Sequence, residues 1–534
     1  MTHSETATLR PVLEACRRVW TRPIAQCALC GRCAKRCELY AEGSRGISEL
    51  ARAGLRLVDA LLQGAGGASG AGGAGGADAR EGDARAGADA RAQGRGTPQG
   101  DAGAQNPASN ERPIDDEALS VAVRSFIERR PDLYGLTRRC SLCNHCTALC
   151  PTNVRAVEIV RPWRWLYALA QVLDPADIKS VQVDTEWHIF SVYRAVYGIH
   201  YTEFLMLADA AAAAPSDAAA AAPSAATAER ALTSSASSSE TAASETAASS
   251  ASGTGIVDTL FFPGCSLISY APDLVRKVGA WLSAQGFSWA LSDSCCGSPL
   301  ISHGRPDRAR VLRHRIVEQC RAAGIRRVLT VCPGCGDELL SLLAQEGIEV
   351  IPLPRLLAEA GVQVSSAAFA PTPATPTLAP APAPAPSAAP ATPTLTFFDS
   401  CHDRLQQHGI PIRRLFARLP SVELAHHCRN TLCCGAGGGV SSFDADISDR
   451  RLEHLLGEAA DAGAGALVTT CPTCTYTFAY KRLLGSTTPV LAHLDCHHYL
   501  EYVFETPIDW PTVFSQLQDM WSGEYGEWVC SQLL

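Results

Sequence analysis

One arrangement of cysteines occurs twice in the second half of this chain: a single cysteine, then an adjacent pair, then CPxC. The first copy is Cys265, Cys295, Cys296, Cys332 and Cys335, and the second is Cys401, Cys433, Cys434, Cys471 and Cys474. In both copies the single cysteine and the CPxC follow short β-branched or aromatic runs, at residues 256–262, 327–331, 395–398 and 466–470, which have the length and composition of buried strands. Helical periodicity fills the intervals at 273–285, 306–324, 334–345 and 451–462, and residues 422–425 lead towards the second adjacent pair. Strands alternating with helices predict two α/β units with parallel sheets, in which ligands gather beyond the carboxyl ends of the strands. Five thiols per unit are therefore expected to converge on one site.

Eight further cysteines form two CxxCxxCxxxC motifs, Cys27, Cys30, Cys33 and Cys37, then Cys140, Cys143, Cys146 and Cys150. This spacing wraps a cubane four-iron cluster, and zinc sites seldom use three cysteines at successive two-residue gaps. In two-cluster ferredoxins the fourth cysteine of each motif serves the other cluster. The expected ligand sets are thus Cys27, Cys30, Cys33 with Cys150, and Cys140, Cys143, Cys146 with Cys37. Pro151 follows Cys150 as that pattern requires, whereas Glu38 stands at the equivalent place in the first motif. Amphipathic helices are expected at 47–63 and 114–130 beside the motifs.

Composition divides the chain. Residues 64–111 are Gly, Ala and Asp/Arg repeats, 209–253 are Ala and Ser, and 363–394 are Ala and Pro; none can bury enough surface to offset its ordering entropy. The expected organisation is an α-helical ferredoxin domain from 1–63 and 112–208 around a disordered insert, a linker at 209–253, cysteine-rich units at 254–362 and 395–534, and a linker between them. With 534 residues, tight CxxC spacing and no secretory leader or run of about 18 apolar residues, the chain is read as a cytoplasmic metal or redox protein, not a disulfide scaffold. A net charge of −8 gives no basic footprint for nucleic acid.

The motifs FFPGC, CCGSPL and CPGC in the first unit, and SCHDRL, CCGAGGG and CPTC in the second, resemble the CCG domains of heterodisulfide reductase catalytic subunits. The ferredoxin part looks like that enzyme's electron-transfer partner, fused to it. The resemblance implies two cubane clusters in the ferredoxin part, one or two further four-iron clusters of non-cubane type in the CCG sets, and reduction of a disulfide between them. It also implies a flavoprotein or a membrane cytochrome or quinone-linked subunit as electron partner, which would hold the chain at the inner face of the membrane. The same architecture serves the iron-sulfur subunits of glycolate oxidase, lactate utilisation and anaerobic glycerol-3-phosphate dehydrogenase, so an electron relay for a flavin-dependent dehydrogenase is the alternative. GAGGG follows cysteines and no strand, so it is not a dinucleotide fingerprint.

His303 and His402, each near its unit's cysteines, are candidate proton donors or hydrogen-bonded holders of a cluster loop. Gly297, Gly435 and Gly437 to Gly439 would bring backbone N–H groups close to sulfur, or for the last three form a plain turn. Cys16, Cys320, Cys428, Cys496 and Cys530 match no ligand spacing and are expected as small buried hydrophobes, with HLDCHH around Cys496 read as a strand end and helix cap. The aromatics of 154–207, including Trp163, Trp165, Tyr167, Trp187, Phe190 and Tyr193, are expected to pack between the ferredoxin and CCG parts.

Overall fold

The computed structural model describes residues 9–30, 32–33, 37, 46–64, 116–173, 189–213, 257–365, 393–485, 494–524 and 526. The expectations for Glu38, Trp187, Cys530 and most of the low-complexity stretches fall outside them. Helices Leu9–Gln26, Ile47–Gly64, Asp116–Arg129 and Ala156–Leu169 form the N-terminal unit. Their apolar stripes meet in one core around Trp20, Leu50, Val123 and Trp163. Phe126 stacks on Trp163 with ring centroids 4.4 Å apart, and the indole N–H groups of Trp20 and Trp163 donate to the Ile159 and Leu50 carbonyls at 2.9 and 3.1 Å. Gly54 is required there, because a Cβ would sit 2.5 Å from the Trp20 ring.

The first α/β unit is a four-stranded parallel sheet in the order β2-β1-β3-β4. Its strands are β1 Thr259–Phe262, β2 Trp289–Leu291, β3 Arg327–Thr330 and β4 Glu349–Pro352. The second repeats it as β6-β5-β7-β8, all parallel, from β5 Leu395–Phe398, β6 Ser421–Val422, β7 Ala466–Thr469 and β8 Asp495–His498. The central strands are buried on both faces, which is why they read as unbroken apolar runs. One core containing Phe261, Leu353, Phe397, Val468 and Trp510 joins the inner faces of both sheets.

The structure refines several of these expectations. Helix Leu207–Ala213 runs into the segment assigned to the linker, because alanine is the best helix former and Ala210 packs in the outer core of the first sheet. The aromatic segment splits in two: Trp163 and Tyr167 are buried within the helical unit, while Phe190 and Tyr193 pack on Tyr270 of the first α/β unit at 5.5 and 5.2 Å. Cys16, Cys320 and Cys496 are buried, but Cys428 is only half-buried and its N–H donates to Asp399 at 2.6 Å. The HLDCHH segment is indeed a strand end and cap, with Glu501 accepting from the His498 N–H at 2.7 Å.

Glu338 ties the helical unit to the first sheet. Its carboxylate, on helix Pro333–Leu343, meets Arg161 at 2.5 Å and Arg313 at 2.6 Å while almost fully buried. Burial alone would raise its pKa, but the two guanidinium groups carry it below the ordinary value. A depressed carboxylate contributes stability above its unfolded pKa and loses it as pH falls through the folded one. Acidification from neutral pH should therefore lower the urea midpoint of the wild type. Glu338→Gln should cost about 3 kcal/mol at neutral pH and flatten that acid limb; an unchanged acid limb would exclude the role.

Candidate iron–sulfur and disulfide site

Each sheet delivers its cysteines by the same local route. β1 and β5 run into Cys265 and Cys401, while β3 and β7 run into Cys332 and Cys471. Cys332 and Cys471 are the N-cap residues of helices that begin with Pro333 and Pro472, where proline's missing N–H costs nothing. The adjacent pairs follow β2 and β6. Gly264, at φ +86°, lets the first turn close on the CPxC loop, where a Cβ would lie 3.2 Å from Cys335 Sγ.

The thiols of each set touch in series. In the first unit Cys265 meets Cys295, Cys296 meets Cys335, and Cys335 meets Cys332. In the second, Cys401 meets Cys433, and Cys434 Sγ lies 3.3 Å from Cys474 Sγ. Cys332 Sγ and Cys471 Sγ then face each other across the two units at 4.0 Å. Sharing of hydrogen bonds moves neighbouring thiols in opposite directions: Cys471 is pulled well down by its contacts to Cys332 and Cys474, whereas Cys335 is pushed well up by Cys296 and Cys332. Both sets open on one cavity of about 420 Å³, whose wall includes Cys265, Cys332, Cys434, Cys471, His303 and His402.

The CxxCxxCxxxC cysteines gather at two places. A cavity of about 340 Å³ is lined by Cys33, Cys37, Cys140, Cys143 and Cys146. A smaller one is lined by Cys27, Cys30, Cys33, Cys146 and Cys150, so Cys33 and Cys146 border both. Cys143 also touches Cys433, so the second motif abuts the second α/β unit. The donor set suits iron–sulfur clusters: the cysteines converge as free thiols and receive backbone N–H groups, from Leu29, Val154, Gly297 and Gly435 to Cys27, Cys150, Cys295 and Cys433 at 3.3–3.4 Å.

Two arginines that are not themselves candidate ligands hold these places together. Arg164, fully buried in helix Ala156–Leu169, donates to the carbonyls of Thr137, Arg138, Cys140, Ser302 and Gly438. Burial pushes it down to about 10, which leaves it charged at neutral pH. Arg404 donates to the Cys143 carbonyl at 2.8 Å and to those of Arg429 and Thr431. An arginine between two tryptophans on an apolar helix face, Trp163 to Trp165, was the available signal for the first. For Arg404 it was its place in the SCHDRL motif, three residues after Cys401.

The glycine run forms a short helical turn, as one of the two expectations had it, and also makes room for its neighbours. A Cβ on Gly437 would lie 2.7 Å from the Ser141 carbonyl oxygen and one on Gly438 2.5 Å from that of Cys140, while Gly439 makes room for the His303 ring. The run lets the second α/β unit seat against the ferredoxin loop and the first unit at once. Gly438→Ala, at φ +69°, should lower stability by about 1–3 kcal/mol through strain alone, and more through the clash, as a drop in urea midpoint.

The histidines differ. His303 is buried, its Nδ1–H donates to the Pro299 carbonyl at 2.8 Å, and burial and the nearby Arg164 and Arg138 push it down to about 4. For His402 burial also lowers the pKa, but Asp337, 3.7 Å from Nδ1, and neighbouring Cys471 carry it above its ordinary value.

Fold and site together define a chain of duplicated cysteine-rich α/β units joined to a helical unit, with a thiol donor set that suits iron–sulfur clusters. The cysteine-rich CCG domain matches at residues 259–339 and 395–479. Relatives include an uncharacterized iron-sulfur protein of Methanocaldococcus jannaschii, 28% identical over 40% of each chain. A component of the fumarate reductase (CoM/CoB) of Methanothermobacter marburgensis is 27% identical over 40% of each. A component of the dihydromethanophenazine:CoB-CoM heterodisulfide reductase of Methanosarcina barkeri is 28% identical over 41% of this chain and 52% of its own. The chain thus carries two CCG domains and is similar over them to these iron-sulfur proteins. The matches cover 40% to 52% of the relatives' length. Among the described residues no helix is long and apolar enough to cross a membrane.

Proposed function

We propose that this chain is a disulfide-reducing iron–sulfur protein that receives electrons from a redox partner at its ferredoxin unit. The observation that carries the reading is the meeting of the two five-cysteine sets, with Cys332 and Cys471 4.0 Å apart in one shared cavity. Cys27, Cys30, Cys33 and Cys150 would hold one cubane cluster and Cys140, Cys143, Cys146 and Cys37 the second; Cys265, Cys295, Cys296, Cys332 and Cys335 would hold a non-cubane cluster, and Cys401, Cys433, Cys434, Cys471 and Cys474 another. Such clusters supply one-electron storage when bound. The chemistry balances as one disulfide, two electrons and two protons giving two thiols.

The chain's own residues do the rest. Arg164 and Arg404 hold the Cys140 and Cys143 carbonyls against the CCG units. Tyr270, Tyr476, Phe190 and Leu300 line the cavity with apolar surface that excludes water around a bound disulfide. His402, its proton retained by Asp337, is placed to protonate a departing thiolate. His303, held neutral against Pro299, positions the glycine run in this scheme.

Anaerobically purified protein supplied with an artificial one-electron donor should reduce a disulfide without any flavoprotein present. It should also give a thiol-dependent paramagnetic signal distinct from those of the cubanes. No turnover without a flavoprotein, together with no such signal, would transfer the chain to the relay class.

A further inference from the structure

The second CCG unit carries a cluster of ligating side chains that the proposed redox chemistry does not use. His454 and Glu458 stand one turn apart on helix Ala445–Asp461, and His426 reaches them from the segment between β6 and Cys433. His454 Nε2 lies 3.0 Å from Glu458 Oε1, and His426 Nδ1 contacts the same oxygen. The three ligand atoms lie within 4.8 Å of one another. Oε2, the other carboxylate oxygen, accepts the His426 backbone N–H at 3.3 Å, which fixes the carboxylate with Oε1 turned to the two rings. That is the kind of outer support that orients a metal ligand.

We infer that His426, His454 and Glu458 bind one borderline divalent cation of the Zn²⁺ class, separate from every cysteine set. Two imidazoles and one carboxylate are a zinc donor set, and three protein ligands leave a fourth position for water. Calcium and magnesium, which take oxygen donors, are poorly served by two imidazoles. Glu458 is largely buried while His454 is open to solvent, so a cation can enter from outside. The bound ion clamps the segment that ends in Cys433 and Cys434 onto a helix whose Arg450, Arg451 and His454 line the cavity of Cys140, Cys143 and Cys146.

The test uses full-length protein with its iron–sulfur clusters loaded anaerobically, dialysed against a weak chelator and titrated with Co²⁺ and then Zn²⁺. One equivalent of Co²⁺ should bind with the d–d absorption of nitrogen and oxygen ligands and without sulfur-to-cobalt charge transfer, and Zn²⁺ should displace it. His426→Ala should lose that equivalent with its iron and sulfide content unchanged. Glu458→Gln, which keeps the volume and hydrogen bonding, should lose it too, and so covers the case in which the first variant folds poorly. Thiolate charge transfer, or the same equivalent retained in both variants, would overturn the site, as would no binding by the wild type.

Discussion

Arg164→Met should detach the ferredoxin unit from both CCG units and cost more than about 4 kcal/mol of stability. The side chain is fully buried and is the donor to carbonyls from three parts of the chain: Thr137, Arg138 and Cys140 at the C-terminal end of helix Pro131–Arg139, Ser302 on the first CCG unit and Gly438 on the second. A buried acceptor left unpaired costs about 1–3 kcal/mol, and partial relaxation keeps the sum below five times that. Such a loss is a large part of the usual folding margin of about 5–15 kcal/mol. Arg164→Lys should recover little, because one ammonium cannot span acceptors that a planar guanidinium reaches from both edges. Urea unfolding with iron content followed in parallel checks this: the expected result is a lower midpoint with early iron loss, and a wild-type midpoint for either variant would remove the hub role.

Cys471→Ser and Cys332→Ser should each lower disulfide reduction at least about 100-fold, beyond the 10–100-fold seen for residues that only support a metal ligand. These two thiols are where the CCG sets face each other, so a change at either alters both sides of the shared cavity. The paramagnetic signals of the ferredoxin clusters should survive, since Cys27 to Cys37 and Cys140 to Cys150 are untouched. Cys320→Ala is the control: this cysteine is fully buried in the outer core of the first unit, far in kind from any ligand spacing. It should cost about 1 kcal/mol of stability through a small cavity and leave turnover intact. Steady-state assay with an artificial donor, paired with iron analysis, separates the two cases; equal activity in Cys471→Ser and wild type would end the disulfide reading.

Much of the architecture was legible because its signals are local. β1, β3, β5 and β7 are short runs buried on both faces, and all four showed as apolar segments ending at cysteines. Of the edge strands, β8 showed as the strand end in HLDCHH, but β2 and β4 did not: β2 is three residues long, and β4 is only partly buried, so neither has a long apolar run or a clean alternation. Helix Ala445–Asp461 begins six residues before the expected start because its cap is Asp444, whose side chain accepts from the Ile447 N–H at 3.1 Å, ahead of the first clear apolar repeat. The glycine run was visible, yet its purpose depended on Cys140, Ser141 and His303, which lie far away in sequence.

The sequence by itself determined the inventory: two parallel α/β units, a helical unit with two four-cysteine motifs, and the cysteines that end the central strands. These follow from periodicity and spacing, which act over a few residues. Only the tertiary structure decided that the two five-cysteine sets share one cavity, that Cys143 meets Cys433, and that Arg164 binds three units through their carbonyls. Such contacts join residues more than a hundred positions apart, and they depend on how whole sheets and helices dock, which no local pattern encodes.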